Sequence, residues 1–318
     1  SSGGYRFYRN TQYRNRQMKI RNIAGCLLLL LALAACATTK NKTSSLLWRI
    51  SGNGLESPSY LFGTHHLIPL SILDSIPGLH EAFDKTEQTV GELDMSRMNE
   101  MQAVIMGAAI MPDGYDYRSL TSESDFRLID KMLKEYTGMG LEQLDRMKPA
   151  MLKNLIIVTL YHKYYPTLSE EISIDQYFQE EAARRSRPVR SLETAEEQAH
   201  LLLESQSIER QVELLVCLVH HPEMLKAEID RLQSAYMAQD LHALNTIYEE
   251  ELPDDPCPST PEEKRAINQD RNERWLSLLP DMMQEKPSFI AVGCLHLVGK
   301  EGLIEGLRKL GYRVDPVK

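Results

Sequence analysis

Cysteine is scarce, with five residues in a chain of 318. Cys26 and Cys36 lie in an apolar amino-terminal stretch, which leaves Cys217, Cys257 and Cys294. Three is an odd number, and no spacing among them suggests a disulfide framework or a zinc module. Basic charge is also short: 36 Lys and Arg stand against 45 Asp and Glu. Six of those bases and none of the acids fall in residues 1–36, so the remainder carries a formal charge of −15. A body that acidic argues against nucleic acid and anionic lipid as partners. No apolar run is long enough to span a bilayer comfortably, since that takes about 20 residues. No short-period repeat or low-complexity array appears, which excludes solenoids and fibrous classes. Hydrophobic content of 42% and charged content of 25% are those of a globular protein with a sizeable core.

The longest apolar run, Ile23 to Ala35, follows a basic stretch, Met18-Lys-Ile-Arg21. That is the order of a secretory signal. It ends Leu33-Ala-Ala-Cys36, which resembles the bacterial lipoprotein box. The resemblance implies cleavage before Cys36, acylation of its sulfur, and a protein anchored in a bacterial cell envelope. The outer membrane, facing periplasm or surface, is the expected place. Residues 1–36 thus read as a leader and the polar residues 37–45 as a flexible tether.

Within 46–318 the informative stretch is Phe289-Ile-Ala-Val-Gly-Cys-Leu-His-Leu-Val-Gly299. An apolar strand breaks at Gly293, and His296 follows three residues later. The same figure occurs early: Tyr60-Leu-Phe62, then Gly63-Thr-His-His66. Glycine permits a tight turn, and open α/β sheets bind ligands at the carboxyl ends of their strands. Both histidines are therefore expected at one sheet edge. Imidazole there serves as a metal ligand or general base. Glu92, near the end of the expected strand Gln88–Asp94, reaches the same edge if the strands are parallel; Asp94, on the same strand face, is the reserve carboxylate. Arg271 lies inside the apolar stripe Ile267, Trp275, Leu278, Leu279 and Met282 of a helix capped by Thr260, Pro261 and Glu263. A guanidinium so placed needs an anion. Asn268 and Asn272 flank it, and Glu193 sits at another strand-to-helix junction.

Strands at both ends of the chain and helices between give the expected fold. It is an α/β domain with a small central sheet built from both ends, and a large helical insertion at about 97–250. Ser173 with Gln176, and Thr194 with Glu197, read as capping boxes inside it.

These residues together resemble the TraB/GumN family. The match lies in Tyr60-Leu-Phe-Gly-Thr-His-His66, Gly91-Glu-Leu-Asp94, Ser191-Leu-Glu-Thr194, Arg271-Asn272 and Val292-Gly-Cys-Leu-His-Leu-Val-Gly299. That family is similar to the TIKI metalloproteases and lies near the erythromycin-esterase and ChaN-like groups. The resemblance implies a metal-dependent hydrolase, a peptidase acting on peptide or protein. His66, Glu92 and His296 would hold a divalent ion (Mn, Co, Zn or Fe). Glu92 and Arg271 would be catalytic, with Asp94, Glu193 and Asn272 behind them. His65 and Cys294 depart from the family pattern. A non-enzymatic haem-binding or ligand-binding lipoprotein, as ChaN-like relatives imply, is the alternative.

Overall fold

The computed structural model describes residues 44–166 and 171–318. The leader, Cys36 and most of the expected tether lie outside those residues. The tether's last two positions are held: Ser44 Oγ donates to the Gln239 carbonyl, and Ser45 is buried with its hydroxyl on Leu47.

Six strands form one sheet: β1 (Leu47–Ser51), β2 (Ser59–Thr64), β3 (Gln88–Gly91), β4 (Val189–Ser191), β5 (Ser288–Gly293) and β6 (Arg313–Pro316). Their spatial order is β4-β3-β5-β2-β1-β6. The first four in that order run parallel, and β1 is antiparallel to both β2 and β6. The sheet is thus built from both ends of the chain, as expected, with β5 at its centre. Phe289, Ile290, Ala291 and Val292 of β5 are all buried. A parallel strand covered on both faces reads as such a continuous apolar run.

The longer helices are α1 (Leu79–Asp84), α2 (Met98–Ala108), α3 (Glu123–Thr137), α4 (Pro149–Tyr164), α5 (Ile174–Arg184), α6 (Ala195–Leu203), α7 (Ile208–His220), α8 (Pro222–Met237), α9 (Leu241–Glu249), α10 (Asp270–Glu285) and α11 (Leu303–Lys309). The helical insertion is real but not continuous. It returns to the sheet once, at β4, which pairs with β3. Its helices α3, α4 and α7 enclose a second apolar core around Ile129, Leu133, Leu152, Ile156 and Leu215. Helix α5 belongs instead to the sheet's core, through Ile174, Phe178 and Ala182. Four of the chain's six phenylalanines meet there. Phe178 lies 4.6 Å from Phe289 and 5.7 Å from Phe62, and Phe83 is 5.1 Å from Phe178 (ring centroids). Offset and edge-on aromatic pairs of this kind add to plain burial.

Two local expectations need correction. Ser173 caps α5 through the Gln176 N–H, but the Gln176 side chain turns to Glu180 rather than closing a box. Thr194 with Glu197 and Thr260 with Glu263 do form full capping boxes. The second correction concerns cysteine. Cys217 at the end of α7 and Cys257 in the loop before α10 are joined in a disulfide, so the odd count hid one pair and one free thiol, Cys294.

Candidate active site

The parallel strands β2, β5 and β3 end side by side. Thr64 pairs with Gly293, and Gly91 with Ala291. Residues just past those ends therefore face one crevice. Gly63 does not turn the chain; β2 runs through it to Thr64. Its hydrogen is needed for close approach: a Cβ there would lie 3.0 Å from Cys294 Cα and 3.1 Å from Cys294 Cβ. The glycine of the first motif lets the second motif pack against it. Gly91 likewise makes room for Gln179 of α5, whose amide would meet a Cβ at 2.5 Å. Gln179 in turn binds the Leu93 carbonyl and the Met95 N–H, fixing the chain just after Glu92.

Arg271 is the hub. Its Nε and Nη2 donate to the two carboxylate oxygens of Glu193 at 2.7 and 2.9 Å. Nη2 also donates to Glu92 Oε2 at 2.6 Å, and Nη1 lies 3.1 Å from His296 Nε2. The guanidinium stacks over the Trp275 ring at 4.8 Å, and that ring lies 4.4 Å from His296. Arg271, Glu92 and Glu193 have side-chain exposures of 8%, 15% and 1%. The pairing is thus an interior one, where a lone charge would be costly.

The helix reaches this position by an irregularity. A π turn at Arg265–Gln269 lies between the capped turn Pro261–Lys264 and α10. Ile267, expected in the buried stripe, is 54% exposed, and Asn268, Arg271, Asn272 and Trp275 face inward. Such π turns are frequent at functional sites.

His296 is buried and oriented. Its Nδ1 lies 2.7 Å from Asn272 Oδ1. Asn272 Nδ2 donates to the Glu301 carbonyl and to Asn268 Oδ1, so its oxygen is the atom offered to the ring. That partner requires Nδ1–H, which leaves the Nε2 lone pair toward Arg271. Burial, with the neighbouring guanidinium, pulls the imidazole down to about 4, so the ring is neutral at physiological pH. For Glu92, burial favours the protonated acid. The charge of Arg271 and the Gly293 N–H on Oε1 outweigh it and hold the carboxyl below its ordinary value.

His66 stands apart. Its Nδ1 pairs with Asp175 Oδ2 at 3.0 Å, and its side chain is 65% exposed. The Asp175 carboxylate raises the ring to about 9, and the charges of Glu92 and Arg271 both reach it. His65 points elsewhere: its Nδ1 accepts the Leu67 N–H, and its ring meets Tyr236 edge-on. Asp94 takes no part in the cluster. It accepts the Ser96 N–H and hydroxyl, capping a short turn. Glu193, a secondary candidate by sequence, is the principal partner of Arg271. Asp175 was missed. It lies in the first turn of α5, where an acid is expected for the helix dipole alone. Cys294 is a buried thiol pushed up to about 12 by burial. A cleft of about 210 Å³ opens beside Glu193, lined in part by Leu93, Arg97, Met101 and Val104.

Among the described residues, no three His, Cys, Asp or Glu side chains converge as an ion's ligands would. Arg271 stands at the donor atoms of Glu92 and His296, and Asp175 engages His66. The chemistry of the donor set nevertheless fits a divalent cation. It offers two imidazoles and a carboxylate, and one imidazole has its tautomer set by a hydrogen bond to its other nitrogen.

The profile of the TraB/PrgY/gumN family matches residues 46–316, nearly the whole described unit. The chain belongs to that family. Its sequence is similar to that of metalloprotease TIKI2 of Danio rerio, 25% identical over 86% of this chain. Metalloprotease TIKI1 of Xenopus tropicalis is 24% identical over 88% of it, and the TIKI homolog of Nematostella vectensis 24% over 89%. The chain spans 61% and 63% of the length of the first two relatives and 69% of the third. No solved structure matches.

Proposed function

We propose that this chain is a metal-dependent hydrolase of peptide bonds, anchored through Cys36 in a bacterial cell envelope. The observation that carries the reading is the meeting of Glu92, His296 and Arg271 at the carboxyl edge of the parallel strands. The TIKI relatives, named metalloproteases, support the reaction class. The Cys217–Cys257 disulfide supports an oxidising compartment.

His66, Glu92 and His296 would hold the ion, which when bound supplies an acidified water and a polarised carbonyl. The chain's own residues do the rest. Asn272 keeps the His296 lone pair turned inward. Glu92 accepts a proton from the attacking water's side of the crevice, its second oxygen held by Gly293. Arg271 is aimed by Glu193 and can exchange Glu92 for the oxygen of a substrate carbonyl as negative charge develops there. Trp275 covers one side of the cluster and excludes water. The cleft beside Glu193 offers an apolar wall of Met101 and Val104 to a substrate side chain.

The test is elemental analysis of the purified full chain and of His296→Ala, followed by digestion of a peptide library with and without chelator. The reading expects one bound transition-metal ion in the wild type, less in the variant, and cleavage abolished by chelator. Equal metal in both proteins, with no chelator-sensitive cleavage, overturns it. A Soret band on haem addition, lost in the variant, supports the ligand-binding alternative instead.

A further inference from the structure

The helical insertion supplies Glu193 after β4, and its helix α5 carries Asp175 to His66 and Gln179 to the chain after Glu92. Asp175 is buried, and its two oxygens are divided. Oδ1 accepts the Thr64 hydroxyl at 2.8 Å, and Oδ2 faces His66 Nδ1 at 3.0 Å. Among the described residues, Oδ2 has no hydrogen-bond partner beyond that ion pair. Thr64 belongs to the first Gly-x-x-His motif and ends β2. The motif's own hydroxyl therefore orients the carboxylate that meets its own imidazole. A carboxylate so buried is costly to keep without a task. The burial is underwritten by Phe178, one turn along α5, which packs between Phe62 and Phe289 on the strands that carry both motifs.

We propose that Asp175 is the positioning residue of His66, holding Nδ1 so that Nε2 is the ring nitrogen presented to an incoming ligand. This rests on the reading of His66 as part of the site. The exposed ring would otherwise rotate through its rotamers and exchange tautomers in solvent. One carboxylate fixes both, as it does where a carboxylate backs a metal-binding histidine. Asp175 and Gln179, one turn apart on α5, thereby set His66 and the Glu92 segment from a single rigid element.

The experiment uses the full chain and the variants Asp175→Asn, Asp175→Glu, His66→Ala and the double variant His66→Ala/Asp175→Asn. Co²⁺ affinity is measured by calorimetry, and the His66 ring nitrogens are read by long-range ¹H–¹⁵N correlation. Above about pH 9, where the ring is neutral, the wild type is expected to show the tautomer with Nδ1 protonated and Nε2 free. Asp175→Asn is expected to lose about 10–100-fold in Co²⁺ affinity, with the far-ultraviolet circular dichroism unchanged. Asp175→Glu is expected to recover part of that loss. The double variant is expected to bind no more weakly than His66→Ala, because Asp175 acts only through His66. Additive losses in the double variant, or an unaltered His66 nitrogen spectrum in Asp175→Asn, overturn the proposal. If His66→Ala itself leaves Co²⁺ affinity unchanged, the ligand reading of His66 falls and this inference with it. The nitrogen spectrum still reports whether Asp175 orients the ring.

Discussion

Replacing Arg271 by Met keeps much of the side chain's bulk over Trp275 and removes the charge that Glu92 and Glu193 share. Glu92 is then buried without its cation, and Glu193, with a side-chain exposure of 1%, keeps only the half-exposed Arg274 and the Trp275 N–H, each at 3.2 Å. Breaking an interior pair from one side costs about 3–5 kcal/mol. In a domain of this size that lowers the Tm by roughly 6–15 °C. The deficit depends on pH in a defined direction. Without the guanidinium, the burial that Arg271 now offsets raises the Glu92 carboxyl above its unfolded value of about 4.3. A group raised in the folded state destabilises above its folded pKa and ceases to do so as pH falls toward the unfolded one. The gap between variant and wild type should therefore narrow between pH 7 and pH 5. Adding Glu92→Gln and Glu193→Gln to Arg271→Met should restore part of the loss at pH 7, since no uncompensated charge remains. Thermal unfolding by circular dichroism at both pH values checks this. A variant within 2 °C of wild type at pH 7, or a gap that widens on acidification, refutes the account of an interior charge cluster.

Wild-type stability should fall on both sides of neutrality. His296, depressed to about 4, contributes stability that is complete above its unfolded value near 6.5 and is lost as pH falls through about 4, roughly 3 kcal/mol at most. His66, raised to about 9, contributes below 6.5 and loses that contribution as pH rises through 9; its exposure keeps the effect small. Urea titrations from pH 4 to 10 should show a maximum near neutrality, and a flat profile counts against both assignments. Gly63→Ala should cost about 1–3 kcal/mol by overpacking, because the Cys294 backbone must move; an unchanged Tm shows that the two motifs do not press together there. Reducing the Cys217–Cys257 bond, which closes a separation of 40 residues, should cost about 4 kcal/mol on the chain-entropy account. Cys217→Ser with a Tm equal to that of the oxidised wild type would contradict it.

Much of the site was legible because strand ends and glycine spacing are local features. The two Gly-x-x-His segments, the carboxylate after β3 and the misplaced charge on a capped helix each declare themselves within a dozen residues. What escaped depends on the third dimension or on a broken period. Asp175 lies 111 residues beyond Thr64 and looks like an ordinary first-turn acid. A stripe drawn through the apolar residues placed Ile267 and Leu278 inside when both are outside, because polar Asn268 and Asn272 hold the buried face beside Arg271. The role of Gly63 was misjudged because glycine suggests a turn, and here it marks contact between two backbones. The disulfide joins helix to loop, and three thiols cannot be paired by counting.

The central position of β5 has a consequence for biogenesis. This strand fits between β2 and β3, both made more than 190 residues earlier. On a ribosome, β2 and β3 emerge with an unfilled slot between them, and β5 and His296 arrive only after the whole helical insertion. The separate core of α3, α4 and α7 has no such dependence and can condense first. The crevice is thus assembled only once β5 has emerged. A nonsense codon before Ser288 leaves β2 and β3 without their common neighbour, and the product is open rather than merely inactive.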